Sequence, residues 1–195
     1  MRSFLLSEPR LLLFGFFISY FASYGQTFFI SIFNIEIRSL FNLSDGKFGL
    51  VYSLATLTSA LILIWFGKLI DKIDLRIYTF IISLGLSFAC IGMFFLTNNL
   101  LILFHIIVSL RFFGQGAMTH TSATTMSRYY NTDRGKAISV SALGDVLGMM
   151  VFPLIVVYMI QLVGWRQTWL LAGLSIIIIF IPLYFYKIIE CLFYL

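Results

Sequence analysis

Six long apolar stretches make up most of this 195-residue chain. They lie at about residues 11–33, 48–66, 77–97, 100–122, 137–160 and 168–186. A helix needs about 20 mainly apolar residues to cross a bilayer, and each stretch is close to that length. Only 11% of the residues are charged, whereas soluble domains carry about 25%. The sequence therefore predicts an all-α integral membrane protein with six transmembrane helices and the lipid bilayer as a partner.

The basic residues are unevenly divided between the two ends of these stretches. If the N-terminus is cytosolic, nine of them lie inside, namely Arg2, Arg10, Lys68, Lys72, Arg76, Arg128, Arg134, Lys136 and Lys187. Three lie outside, namely Arg38, Lys47 and Arg166. Because positive charge is enriched in cytoplasmic loops, we predict a multi-pass protein of the cell (inner) membrane with both termini cytoplasmic. The net charge of +5 forms no continuous basic face, so nucleic acid is not expected as a partner.

The chain divides near Asn98 into two groups of three stretches, at about 11–97 and 100–186. Each group has an odd number of helices, so the two groups cross the membrane in opposite directions. Such inverted repeats are typical of secondary transporters. No room remains for a soluble domain, and residues 1–195 are predicted to form a single six-helix membrane domain.

Four segments, taken together, resemble the motifs of the major facilitator superfamily. They are G-x-L-x-D-x-x-x-x-R at 67–76, R-x-x-x-Q-G at 111–116, the segment 129–148 with its Arg-Gly-Lys-Ala run, and Gly164-Trp165-Arg166. The resemblance covers about residues 11–186 and follows the family's order. It implies one half of a twelve-helix transporter fold, with the C-terminal half absent from this chain. It also implies movement of a small solute by alternating access.

Within the superfamily, the segment around the fifth stretch is most similar to the monocarboxylate and oxalate–formate branches. Tyr129-Tyr130 and Phe152-Pro153 contribute to this similarity. Met149 stands where the drug antiporters carry a proline, which reduces the likeness to them. The resemblance therefore implies a small organic anion, such as a monocarboxylate, as the solute.

The densest charge cluster lies between the second and third stretches and predicts a cytosolic hairpin. Gly67 permits close packing or an unusual backbone angle where the second helix ends. Asp71 falls in the turn or at the start of the third helix, where the helix dipole favours an anion. Lys72 and Arg76 can pair with Asp71 or with carbonyls that end a neighbouring helix. We interpret these four residues as a gate or latch; the alternative is a solvated positive-inside loop.

Two charged residues fall inside the apolar stretches. Arg111 is about eleven residues into the fourth stretch, near the bilayer midplane, and must face a polar cavity or a partner. Asp145 lies in the fifth stretch, on a neighbouring antiparallel helix. We hypothesise that they form an intramembrane ion pair. The pair is either static, or it serves transport through anion binding at Arg111 or protonation of Asp145.

Further polar residues occur on the first and fourth stretches. Gln115, four residues after Arg111, and Gln26, with Tyr24 nearby, are predicted to line a substrate cavity. Interhelical hydrogen bonding is the alternative interpretation of these residues.

The fifth stretch combines features of a packed and bent helix. Gly144 and Gly148 form a small-x-x-x-small face that allows close helix approach, and Pro153 removes a backbone hydrogen bond one turn later. We predict a hinge there; the alternative is ordinary membrane packing.

These observations predict a secondary active transporter, or its N-terminal half, driven by an ion gradient as a symporter or antiporter. It would work with a second copy of itself or with a separate C-terminal six-helix half. No nucleotide-binding or zinc-binding pattern occurs, so we expect no cofactor, no metal site, no catalytic residues and no enzyme activity. The alternative function is a non-transporting membrane protein, either truncated or an assembly partner.

Overall fold

The computed structural model describes residues 9–130 and 132–185, with side chains up to residue 180. Six long helices make up the bundle: α1 (Pro9–Ile32), α2 (Asp45–Asp71), α3 (Leu75–Phe94), α4 (Leu100–Tyr129), α5 (Arg134–Val163) and α6 (Trp165–Phe185). The first five are long and apolar enough to cross a membrane, and α6 is apolar over 165–180. No strand occurs in the described ranges. The predicted all-α membrane fold is confirmed. Arg2 and Lys187, which entered the charge count, lie outside the described residues.

Short polar caps begin three of the helices, because the first backbone N–H groups of a helix have no partner within it. Ser44 accepts a hydrogen bond from the Lys47 backbone at the start of α2. The carboxylate of Asp74 accepts one at the start of α3, and the amide oxygen of Asn99 accepts one at the start of α4. A short helix, Asn34–Phe41, connects α1 to α2. These caps fix where α2, α3 and α4 begin.

The helices pair in a regular pattern. The most extensive contacts join α1 to α5, α3 to α6 and α2 to α4, with α1 also against α4. The α1–α5 and α2–α4 pairs correspond to each other when the first three helices are exchanged for the last three, whereas α3 also packs on α4 without an equally extensive contact between α6 and α1. Hydrogen bonds support the pairing, because Ser122 Oγ donates to the Gly15 carbonyl at 2.9 Å and Ser87 Oγ donates to the Gly173 carbonyl at 2.9 Å.

Close backbone approach defines the contact between α1 and α5. A Cβ atom at Gly144 would overlap the Phe16 carbonyl oxygen, and one at Gly148 would overlap the Ser23 hydroxyl. Pro153 lies inside α5, which continues through it to Val163. The small-residue face predicted for α5 therefore packs on α1, while the hinge role stays a prediction.

The two helices α2 and α5 leave most of their surface outside the bundle. Only 17% of an 18-residue apolar segment of each helix is buried, against 61% for α1. Large apolar side chains point outward from both, including Leu50 and Trp65 on α2 and Met150 and Leu154 on α5. These faces are suited to lipid or to another apolar protein surface.

Candidate functional site

The first helix is broken near its middle. It is α-helical to Ala22, forms a 3₁₀ turn at Ser23–Gly25, passes through an extended Gln26 (φ −78°, ψ 155°) and resumes at Thr27. A Cβ atom at Gly25 would overlap the carbonyl oxygen of Leu110, so only glycine fits against α4 here. Irregular backbone at membrane depth occurs where it is buried in protein or lines a cavity. We call residues 25–27 the α1 break.

A second irregular segment faces the α1 break. Residues Arg111–Met118 of α4 form a π-helix between two α-helical parts. A Cβ atom at Gly114 would lie 2.6 Å from Gly25 Cα, so the two backbones touch. Segments of π-helix are frequent at functional sites, and breaks in transporter helices commonly surround a binding site. The contact between the α1 break and the π segment of α4 is therefore the candidate binding site.

The guanidinium of Arg111 is held at this meeting point. Its Nη1 donates to the Gly25 carbonyl at 3.2 Å and to Thr27 Oγ1 at 3.1 Å. The Tyr52 ring centroid lies 5.4 Å from the guanidinium carbon, and the Tyr52 hydroxyl donates to Thr27 Oγ1 at 3.0 Å. Arg111 is only 7% exposed, and among the described residues its Nε has no hydrogen-bond partner. A buried cation with an unused donor can bind an anion.

A cavity of about 240 Å³ lies between α1 and α2, next to the residues that contact Arg111, although Arg111 itself does not line it. Thr27 and Tyr52, which contact Arg111, both line it, and Asn34 and Asp45 lie further along. Sequence reasoning did not select Thr27 or Tyr52. In the sequence, these two residues stand out only as polar residues inside apolar stretches. Many membrane helices contain such residues, so the pattern does not indicate a site.

The predicted ion pair between Arg111 and Asp145 is not formed. The broken helix offers the guanidinium a free backbone carbonyl at Gly25, and the carboxylate instead accepts a hydrogen bond from Gln26 Nε2 at 3.4 Å. Three consecutive residues of the α1 break thus join the two charges, with Gly25 and Thr27 bonded to α4 and Gln26 bonded to α5. The charges are neighbours through α1 rather than direct partners.

The other two predicted cavity residues take different positions. Gln115 lies in the π segment, and its side-chain oxygen is buried without a hydrogen-bond partner in the described part of the chain. Tyr24 is 6% exposed and packs against Phe29 and Phe152, while its hydroxyl is 2.9 Å from Ser175 Oγ of α6. Tyr24 therefore supports the packing of α1 on α5 and α6 and does not lie with the cavity residues.

The predicted latch has a different partner from those proposed. Asp71 lies in the last turn of α2, not at the start of α3, and forms an ion pair with Arg128 near the end of α4. Arg128 Nη1 also lies 3.5 Å from the Ile70 carbonyl. An acid at a helix C-terminus is unfavourable to the helix dipole, and the arginine offsets this. Sequence reasoning counted Arg128 as a cytosolic charge but did not pair it with Asp71.

The other three predicted latch residues lie at the end of α2, in the turn after it and at the start of α3. Gly67 has ordinary helical angles (φ −58°, ψ −30°), and an added Cβ would lie 3.7 Å from the His120 ring, a normal contact. Neither reason proposed for glycine at this position applies within the described bundle. Lys72 is exposed, and the Arg76 backbone N–H donates to the Asp74 cap at 2.7 Å.

We expect the Asp71–Arg128 pair to contribute little to stability. Its side chains are 56% and 47% exposed, and exposed pairs are worth about 0.2–1 kcal/mol. In a double-mutant cycle, Asp71→Asn, Arg128→Gln and the double variant should lower the free energy of unfolding by similar small amounts. Thermal unfolding in detergent measures this. Losses of several kcal/mol that add in the double variant would contradict it.

Irregular helix segments that surround a polar site within an apolar bundle are common in membrane transporters. The sequence profile of the Major Facilitator Superfamily matches residues 12–190. The chain belongs to this superfamily, whose members are transporters rather than enzymes. The resemblance seen in the four motifs is thereby confirmed at the level of the superfamily. No curated protein sequence matches the chain with statistical significance.

Proposed function

We propose that this chain is a secondary active transporter, or the N-terminal half of one, that moves a small organic anion by alternating access. The observation that carries the proposal is Arg111, whose buried guanidinium keeps an unused Nε–H beside the α1 break. A guanidinium binds carboxylates through paired hydrogen bonds. The cavity of about 240 Å³ suits a small solute, and the branch resemblance favours a monocarboxylate.

A second six-helix unit completes the transporter in this proposal, either another copy of the chain or a separate C-terminal half. Rocking of two bundles around a midplane site is how such transporters alternate. The open apolar faces of α2 and α5 offer surface for that unit. The corresponding α1–α5 and α2–α4 contacts support two inverted repeats, at about 11–97 and 100–186.

Uptake into proteoliposomes tests the proposed function. Purified chain would be reconstituted as a crosslinked dimer and as a verified monomer, and supplied with ¹⁴C-labelled formate, L-lactate, pyruvate or oxalate. Protein-free liposomes correct for passive leak of the acids. We expect saturable uptake of at least one anion by the dimer and none by the monomer. Absence of uptake in every arm, including co-expression with a C-terminal half, would favour the non-transporting assembly partner.

The proposed orientation in the inner membrane has its own test. We expect Lys72→Cys, at the α2–α3 turn, to be protected from a membrane-impermeant maleimide in intact cells, because this turn is cytosolic. Asn98→Cys, at the α3–α4 turn, should be labelled from outside. Both residues are exposed, so accessibility to the reagent depends on the side of the membrane. The background replaces Cys90 and Cys191 with serine. The reverse labelling pattern would overturn the orientation.

A further inference from the structure

A groove of about 410 Å³ runs between α2 and α4, at the end of the bundle that carries the α2–α3 turn. The helix α4 lines it with His120, Thr124 and Arg128, which are four residues apart and therefore share one face. The helix α2 lines it with residues between 60 and 71. We call this feature the α2–α4 groove. It is separate from the cavity beside the α1 break, and none of its lining residues contacts Arg111 through a hydrogen bond.

The groove changes from apolar to basic along its length. Ala60, Leu63 and Ile64 line one part, and Lys68 and Arg128 line the other. The helix α2 rises about 30 Å between its start at residue 45 and residue 64, which is close to the thickness of the hydrocarbon core. Lys68 lies about 6 Å further along the helix. The apolar part therefore lies at the depth of lipid tails and the basic part at the depth of lipid headgroups.

An aromatic residue marks the same boundary. Trp65 is 66% exposed and stands between the apolar part and Lys68. Tryptophan is enriched where a membrane meets water, because its ring is apolar and its N–H is polar. His120 lies about 30 Å from the start of α4 at residue 100, so this residue reaches the same level from the neighbouring helix. Both helices thus place polar side chains of the groove at the membrane surface.

The basic part of the groove has one cation in excess. Asp71 offsets the charge of Arg128 through their ion pair. Lys68 is exposed and forms no ion pair with any described residue. The Nδ1 atom of His120 has no hydrogen-bond partner in the described part of the chain. The groove therefore complements a negatively charged group that approaches from the membrane surface.

We propose that the α2–α4 groove binds one anionic phospholipid of the adjacent leaflet. Its phosphate lies against Lys68 and Arg128, and one acyl chain follows Leu63 and Ile64. Basic pockets between transmembrane helices bind anionic headgroups in this way. A lysine suits the position, because its stem packs along apolar surface while its ammonium reaches the interface. This inference does not depend on transport or on the identity of the solute.

A lipid fits the groove better than a free phosphate ester does. Only an amphiphile uses both the apolar and the basic part. A phospholipid is also already held at this depth by the bilayer, whereas a free anion must give up more translational freedom to bind. The groove is distinct from the outward stripe of α2 at Leu50, Leu57 and Leu61, because adjacent residues such as 60 and 61 point about 100° apart around a helix.

Native mass spectrometry of the full chain in detergent tests the headgroup contact. The probes are palmitoyl-oleoyl phosphatidylglycerol, which is anionic, and the matching phosphatidylcholine, which has no net charge. We expect the first phosphatidylglycerol to bind at least fivefold more tightly. Lys68→Gln should weaken its binding about fivefold, which corresponds to about 1 kcal/mol for one basic residue near an anionic lipid, and Lys68→Arg should retain it.

Lys47→Gln is the matched control, because Lys47 is an exposed lysine at the other end of the same helix. It should keep the wild-type affinity for phosphatidylglycerol. Thermal unfolding provides a second measurement, since a ligand that binds the folded state raises the melting temperature. Phosphatidylglycerol should raise it more for the wild type and for Lys47→Gln than for Lys68→Gln. Equal affinity for the two lipids, or an equal loss in both glutamine variants, would overturn the proposal.

The apolar part and the other possible occupants are tested together. Ile64→Trp fills the acyl part and should reduce phosphatidylglycerol binding, whereas Ile62→Trp changes an exposed isoleucine outside the groove and should not. Displacement of the lipid by glycerol phosphate at equal concentration would assign the basic part to a free phosphate ester and sink the proposal. Loss of a dimer in Ile64→Trp with unchanged lipid binding would assign the groove to a second copy of the chain, with the same consequence.

Discussion

Arg111→Leu is expected to reduce anion transport by roughly 30- to 4,000-fold in kcat/KM. Removing one member of a buried, hydrogen-bonded charge pair costs about 2–5 kcal/mol, and every 1.4 kcal/mol is a factor of ten. Leucine fills similar space but cannot donate to the solute, to the Gly25 carbonyl or to Thr27 Oγ1. Initial rates of ¹⁴C-anion uptake into proteoliposomes measure the loss.

Two companion variants separate the binding role of Arg111 from a general effect of lost charge. Arg111→Lys keeps the cation but loses the planar fork, so we expect partial activity with a raised KM. Lys136→Leu removes a cation that pairs with Asp133 at the start of α5, away from the cavity and the α1 break, and should retain wild-type rates. Full activity of a stably folded Arg111→Leu protein would show that this cation does not bind the solute.

The second large effect is expected from alanine at the glycines where helices touch. A Cβ atom at Gly144 would overlap the Phe16 carbonyl oxygen, and one at Gly25 would overlap the Leu110 carbonyl oxygen. Both obstacles are backbone atoms, which cannot turn aside as a flexible side chain can. Overpacking usually costs about 1–3 kcal/mol, and we expect both variants to reach or exceed the upper end. Thermal unfolding followed by size-exclusion chromatography in detergent reports the loss.

Gly49→Ala is the matched control for these variants, because it also places alanine in a membrane helix. No atom lies within 4 Å of an added Cβ at Gly49. Alanine is favoured over glycine within helices by about 0.5–1 kcal/mol, so this variant should be as stable as the wild type or slightly more stable. Equal melting temperatures for Gly49→Ala, Gly25→Ala and Gly144→Ala would contradict the close crossings of α1 with α4 and α5.

Much of the architecture was predictable because the thickness of the bilayer sets how long an apolar stretch must be to cross it. A stretch near 20 apolar residues is recognisable without knowledge of its neighbours, so the six long helices were predicted to within a few residues, except that α4 continues to Tyr129. Five of them are long and apolar enough to cross a membrane. The same reasoning identified Arg111 and Asp145 as residues that need a polar partner or cavity, because a charge inside an apolar stretch is costly in free energy. It also selected Asp71 as half of an ion pair.

The partners of these residues were not predictable in the same way. Gly25 and Arg111 are 86 positions apart, Gln26 and Asp145 are 119 apart, and Asp71 finds Arg128 on a helix that follows α3. Sequence reasoning paired Arg111 directly with Asp145 because both are charged and lie at similar depth. The break at residues 25–27, which separates them, has no local signature beyond a glycine.

The sequence by itself determined where the long apolar helices lie and which buried charges need partners, since the free energy of hydrophobic transfer depends on each segment alone. Only the tertiary structure decided that α1 breaks, that α4 adopts a π segment, and that Arg111 binds a backbone carbonyl instead of a carboxylate. These features arise where Gly25 and Gly114 bring two helices into backbone contact. Such contact depends on how all six helices pack, and no single stretch of sequence encodes it.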